Sequence, residues 1–232
     1  MSGNISLNTV TSGLEVYMDI ANIRTYPGTG TVLTDLNSNS TGNLTNGALF
    51  ESTNKGCIVF DGIDDYATVP IANANSAFTL NIWVKAIANS GTGSTGYMGL
   101  VQRFNGYSGQ RNRFLLQSGF SVLYFQAIIG GVDTSIISDT FTSIQNQISM
   151  CTVTWDGSVV KFFVNGVSVL ATPAALTGIL DSGVALPYLG WGATSADYYL
   201  NGKVYNYMAY NRNLSLDEIV QNYNAFKGRF GY

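Results

Sequence analysis

Between Cys151 and Leu170 the chain reads C-T-V-T-W-D-G-S-V-V-K-F-F-V-N-G-V-S-V-L, three short apolar runs separated by Asp156-Gly157-Ser158 and by Asn165-Gly166. Asp-Gly and Asn-Gly tolerate the positive φ angles of tight hairpins, so each joins neighbouring antiparallel strands with matching twist. The runs are rich in β-branched and aromatic side chains, which suit a pleated surface. Three strands in so short a stretch make a meander. Its apolar face must be buried, most readily against a second sheet. A sandwich follows.

The rest of the chain supplies strands for both layers. Leu14 to Ile20, Cys57 to Phe60 and Tyr66 to Val69 read as short strands, and Asp61-Gly62 turns between the last two. Phe78 to Lys85 puts Phe78, Leu80, Ile82 and Val84 on one face. Trp83 then points the other way, toward an outer layer or a ligand. Further strands are predicted over 97–104, 113–117, 122–129, 132–137, 187–191 and 203–210. The segments 21–30 and 37–47 read as loop, the second turn-forming throughout. With 232 residues, 46% hydrophobic and only 11% charged, the chain suits one all-β domain that needs neither disulfide nor metal to hold it. Cys57 and Cys151 both fall inside predicted strands and read as buried thiols rather than as a bridge.

One helix is predicted, over about residues 215–227. Ser215 and Glu218 stand at capping-box spacing, and Leu214 with Ile219 makes a hydrophobic staple. Asp217 and Glu218 complement the helix dipole at its start and Lys227 at its end. Ile219, Tyr223 and Phe226 form the apolar stripe, and Gly228 stops the helix. Residues 1–12 are a polar N-terminal arm, either frayed or docked on a partner. The domain proper spans 13–232, without internal repeats. The N-terminus lacks a basic start and an apolar core, and no apolar run of about 18 residues occurs, so the expectation is a chain folded in a cytoplasm and apart from membranes.

Four segments, G-L-E-V-Y-M-D-I-A-N, V-F-D-G-I-D-D-Y-A-T-V-P, T-W-D-G-S-V-V-K-F-F-V-N-G and L-N-G-K-V-Y-N-Y-M-A-Y-N-R-N-L-S-L-D-E-I, occur in that order from residue 13 onward. Together they resemble laminin-G-like, concanavalin A-like jelly rolls. The resemblance implies a two-sheet antiparallel jelly-roll sandwich with one short C-terminal helix. That fold hosts lectins, hydrolases, adhesion modules and structural proteins alike. The closing E-I-V-Q-N-Y-N-A-F-K-G-R-F-G resembles laminin-G-like domains of tailed-phage virion proteins, both fibres and capsid-decorating components.

Chemistry is sharply bounded. The chain contains no His, which removes Ser-His-Asp and Cys-His arrangements and zinc's commonest nitrogen ligand. Only three Glu occur, Glu15, Glu51 and Glu218, far apart in sequence. Glycoside hydrolysis normally uses two carboxyls about 5–10 Å apart, and the clustered Glu and Asp of concanavalin A-like glycosidases are missing. No enzymatic activity is expected. A hard cation is the better candidate: Asp61, Asp64 and Asp65 crowd one turn, and Asp19 joins them if the first strand pairs alongside. Calcium is the ion in view, and the plain account, an Asp-Gly turn with an Asx contact, stands ahead of it. Some relatives place an acidic residue after the Gly-Lys-Val of the closing strand, where Tyr205 and Asn206 stand here.

Aromatic side chains are the remaining resource. Trp155 is in phase with Val153 and reads as core. Trp191, Tyr198, Tyr199, Tyr97 and Tyr107 fall in or beside loops, where their faces suit either the apolar side of a sugar ring or another subunit. Arg103, Arg111 and Arg113 are the one basic concentration and read as salt bridges or loop ends. A net charge of −3 argues against nucleic acid. The expected role is a virion accessory protein, a homo-oligomer assembled in the host cytoplasm that contacts other virion proteins, with a host surface glycan as a further contact. A free-standing lectin is the alternative, and a polysaccharide-active enzyme comes last.

Overall fold

The computed structural model describes residues 9–70, 76–87, 96–104, 111–117, 119–170, 172, 174–180, 187–192 and 198–232. Its strands begin with β1 (Leu14–Asp19), β2 (Val32–Thr34), β3 (Thr41–Thr45), β4 (Leu49–Glu51), β5 (Cys57–Asp61) and β6 (Tyr66–Thr68). Next come β7 (Phe78–Ala86), β8 (Tyr97–Phe104), β9 (Arg111–Gln117), β10 (Leu123–Ile129), β11 (Val132–Ile137) and β12 (Ile148–Trp155). The chain closes with β13 (Val159–Val164), β14 (Val167–Ser168), β15 (Ala174–Ala175), β16 (Tyr188–Leu189), β17 (Asn201–Tyr210) and the helix α1 (Leu216–Lys227).

Among the described residues these strands form two antiparallel sheets. The first runs β14-β13-β12-β7-β17-β5-β4, with β1 also on β17 and β15 on β13; the second runs β11-β10-β9-β8-β16-β6-β3-β2. The meander lies in the first sheet, where Cys151 pairs with Val164 and Trp155 with Val160. Asn165 and Gly166 take φ of 52° and 80°, the double left-handed step that a two-residue hairpin needs. Between the sheets Phe78, Ile82, Val84, Cys151, Val153 and Trp155 meet Phe114, Leu116, Leu123 and Phe125. Phe78 packs on Phe125 with centroids 5.3 Å apart, tying the layers together. The Trp155 indole donates to Leu176 O at 2.7 Å, so its one polar group is satisfied inside the core.

A second apolar layer covers the outer face of the first sheet. Trp83, Met150, Tyr205, Met208 and Tyr210 are buried there beneath α1 and the tail after it. Trp83 stacks on Tyr223 (5.6 Å, 9°) and packs on Phe230 (4.6 Å), which resolves its direction in favour of an outer layer. The capping box forms as the spacing predicts: Glu218 N donates to the Ser215 hydroxyl at 3.3 Å and Ser215 N to the Glu218 carboxylate at 2.9 Å. Gly228 does end the helix, but at a right-handed φ of −64°, and the left-handed step falls later, at Gly231. Within the polar arm Thr9 and Val10 are buried, while Thr11 and Ser12 after them are exposed. Val10 N donates to Asn222 Oδ1 at 2.9 Å and Tyr210 donates its hydroxyl to Val10 O at 3.0 Å. No helix among the described residues is long and apolar enough to cross a membrane.

Several short strands escape a reading by composition. The stretch expected to be turn throughout contains β3, because Leu44 is buried in the core and holds the chain extended against β6. Gly42 is required there: a Cβ would stand 2.0 Å from Thr68 O. β2 likewise lies in sequence next to the 21–30 loop and pairs with β3. Cys57 and Cys151 are free and buried on opposite faces of the first sheet, Cys57 beneath the helix and Cys151 between the layers. Burial pushes the Cys151 thiol up to about 12.

Candidate functional site: an aromatic ladder and an acidic turn

The inward side of the second sheet is set by the row Val101, Phe114 and Phe125, all buried and in register. One residue away in each strand the side chains face outward. That outward row runs Thr68, Tyr188, Gln102, Arg113 and Gln126 across five strands. Aromatic rings gather along it. Tyr188 meets Trp191 edge to face at 5.1 Å and Tyr66 at 5.3 Å. Trp191 lies 5.4 Å from Tyr66 and parallel to Tyr199 at 5.8 Å. The next residue, Tyr198, continues the series to Tyr97 (5.8 Å), and Tyr97 to Tyr124 (5.1 Å). All seven rings are half-buried, so each keeps part of its face open.

The backbone fixes this arrangement. Trp191 and Tyr199 form an isolated antiparallel bridge. Gly99 N donates to Tyr198 O at 2.9 Å. Gly99 and Gly192 let the two segments touch: a Cβ on Gly99 would lie 2.2 Å from Gly192 N. Arg113 donates to Gly192 O at 2.8 Å and lays its guanidinium over the Tyr198 ring at 4.9 Å. Gln102 is fully buried beneath, and neither amide atom finds a partner among the described residues. Of the contact residues expected from sequence, Trp191, Tyr198, Tyr199 and Tyr97 come together here. Tyr107 lies outside the described residues, as do the side chains of Arg103 and Arg111. Tyr66, Tyr188 and Tyr124 were not anticipated. The available signal was their phase: each alternates with a core residue in its strand, which aims an aromatic ring at the outside.

The ladder ends beside the acidic turn. Asp61, Asp64 and Asp65 bring carboxylate oxygens within 4.8 Å of one another. Asp61 Oδ1 accepts from Ile63 N at 2.8 Å, the Asx contact of a tight turn, with Gly62 at φ 78°. Asp65 Oδ2 accepts from Asp61 N at 3.1 Å. Burial raises the Asp65 carboxyl to about 6, and the charges of Asp61 and Asp64 push the same way. Tyr66 follows Asp65 directly in the chain, which joins the acidic turn to the ladder, and the Tyr199 hydroxyl is raised by burial and then by the negative charge of Asp64. Asp19 does not join the group. It pairs opposite Asn206 while Asp61 pairs opposite Asn201, roughly 16 Å away along β17. Its carboxylate instead holds Arg229 at 2.7 Å and pins the C-terminal tail.

The two antiparallel sheets, with one helix on the outer face of the first, define a jelly-roll sandwich. The chain belongs to the concanavalin A-like lectin/glucanases superfamily, whose laminin G-type model matches residues 61–220. No curated protein matches it by sequence. Among solved structures it is similar to Trypanosoma rangeli sialidase, at 16% identity and a TM-score of 0.68 over 97% of this chain and 34% of that one. It is also similar to the receptor binding domain of botulinum neurotoxin type G, at 14% identity and a TM-score of 0.69 over 92% of this chain and 51% of that one. The binding domain of Paraclostridial mosquitocidal protein 1 gives 14% and 0.69, over 92% and 52%. The chain thus spans about a third of the sialidase and half of each toxin domain, and at these identities the likeness is one of fold.

Proposed function

We propose that this chain is a non-enzymatic recognition module that binds carbohydrate on the aromatic ladder. The observation that carries the reading is the run of half-buried rings, Tyr66, Tyr188, Trp191 and Tyr199, on the outer face of the second sheet. Sugars offer apolar C–H faces to such rings and hydroxyls to nearby amides and carboxylates. The neighbours in fold lend support, since a sialidase structure of this kind is described in complex with sialic acid. The three Glu are each engaged in the fold, Glu51 with Lys203, Glu218 with Arg212 and Glu15 with Asn211, which favours binding without hydrolysis by a Glu pair.

The finer reading is that the module serves on a phage particle, as a capsid-decorating or fibre-type component in oligomeric form, touching other virion proteins and a host surface glycan. The supporting feature is the closing segment from Glu218 to Gly231, with its resemblance to virion laminin-G-like domains. Glycan-array binding by the isolated protein, repeated with Trp191→Ala, tests the first reading. A loss of about 5- to 150-fold in affinity is expected if the ring supports the sugar as aromatic side chains support a stacked base, at about 1–3 kcal/mol per contact. An unchanged array profile would discard the ladder as the site. Co-sedimentation with purified particles tests the second, and a monomer absent from particles removes it.

A further inference from the structure

We propose that Gln102 makes the aromatic ladder selective for sugars that carry an acetamido group. The inference rests on the carbohydrate reading above and narrows it to one substrate class. Gln102 belongs to the outward row of the second sheet, where it pairs opposite Tyr188 on β16 and opposite Arg113 on β9. Directly paired residues on one face stand with their Cβ atoms about 4.5–5.5 Å apart. One neighbour, Tyr188, belongs to the ring group that includes Tyr66 and Trp191. The other, Arg113, lays its guanidinium over Tyr198 at 4.9 Å, and Tyr198 leads on to Tyr97. Gln102 therefore stands at the seam between the two halves of the ladder.

Its unmet amide sets it apart. The residue is 0% exposed, and neither Nε2 nor Oε1 has a hydrogen-bond partner among the described residues. Further along the same row the next amide is engaged, since Gln126 Nε2 donates to Asp133 at 2.6 Å. A buried amide with nothing to bond is costly. An apolar side chain of similar volume would fill the position without that cost, so packing alone does not call for a glutamine. A ligand group that brings hydrogen-bonding atoms to the seam does.

Depth and charge select that group. Gln102 lies wholly below the surface on which the half-buried rings would carry a sugar. A hydroxyl fixed directly to the sugar ring is too short an arm to reach it. An acetamido group carries its oxygen two bonds further out, and reaches the amide as the flanking Tyr188 or Arg113 side chain turns aside. The group is neutral and offers both an acceptor for Nε2 and a donor for Oε1, whereas a carboxylate offers no donor and is costlier to bury. Its methyl suits the aromatic faces on either side.

The probe is a set of glycans in matched pairs, N-acetylglucosamine against glucose and N-acetylgalactosamine against galactose in the same linkages, arrayed first and then titrated by calorimetry. Wild type should bind the acetamido member of its best pair at least about tenfold more tightly, because the hydroxyl member leaves the buried amide unpaired. Gln102→Met keeps the length of the side chain and removes both polar atoms. It should erase the preference, bind the hydroxyl member as before, and melt at or above wild type. Binding without a preference, or a preference that Gln102→Met retains, overturns the inference and leaves the carbohydrate reading standing. A Gln102→Met melt far below wild type overturns it as well, by showing that the fold itself needs the amide. Binding of no pair removes the carbohydrate reading and this inference together.

Discussion

Replacing Trp83 should separate the helix from the sandwich. The ring is fully buried on the outer face of β7, with Tyr223, Phe226 and Phe230 at centroid distances of 5.6, 6.4 and 4.6 Å. All three partners belong to α1 or the tail after it, so the indole is the main apolar link between that cap and the first sheet. Burying a Trp side chain and then truncating it to Ala costs about 3–5 kcal/mol. Ring pairs contribute about 0.5–1.5 kcal/mol each beyond area, which puts Trp83→Ala at the upper end of that range. Trp83→Phe behaves differently. The indole N–H has no acceptor among the described residues, and an unmet buried donor costs about 1–3 kcal/mol. Phe removes that liability while keeping one ring, so the net change should stay within about 1 kcal/mol. Urea denaturation gives both numbers, and hydrogen exchange locates the damage. The Ala variant should lose amide protection in α1 before the strands lose theirs. A loss below about 1 kcal/mol for Ala, or a Phe variant as damaged as the Ala one, would refute the account of the outer layer.

Asn222→Leu should cost roughly 2–3 kcal/mol in denaturant titrations, because it strands Val10 N, which now donates to Asn222 Oδ1, and takes away the amide that donates to the Tyr210 hydroxyl at 3.0 Å. Glu218 sets an acid limit on the helix: the Arg212 guanidinium beside it holds its carboxyl at about 2, well below the ordinary 4.5. A carboxyl lowered in the folded state stabilises above its unfolded pKa, so this contribution should be complete near neutrality and fade as pH falls from 4.5 toward 2. Glu218→Gln should flatten that part of a stability–pH curve, and an unaltered curve would show the pair to be inconsequential. Gly99→Ala should push Trp191 and Gly192 off β8, since its Cβ would fall 2.3 Å from Trp191 C. Weakened glycan binding and shifted Trp fluorescence are the expected readouts, and a variant identical to wild type would mean that the contact yields freely.

Much of the fold was legible because it depends on local rules. Asn165-Gly166 specified its hairpin through two left-handed residues. Ser215 and Glu218 fixed the start of α1 through reciprocal caps. Trp155 could be assigned to the core by phase alone. The short strands were not legible: β3 is a Thr-Gly-Asn-Leu-Thr stretch whose extension comes from Leu44 in the core and from β6 alongside it. Asp19 shows the limit for sites. Its placement with the acidic turn required a register that one strand's sequence does not encode, and β17 instead set the two ends apart.

By itself the sequence determined that this chain would be an antiparallel sandwich with a capped C-terminal helix, without histidine chemistry and with aromatic rings to spare. Turn residues, alternation and caps act over a few neighbours, so they can be read from a linear string. Only the tertiary structure decided which rings share a surface. Tyr66 meets Tyr188, Trp191 and Tyr199, which stand together far later in the chain, because strand order brings β6 beside β16 and folds the segment after it back across β8. Strand order is a property of the whole core, settled by which arrangement closes both layers at once.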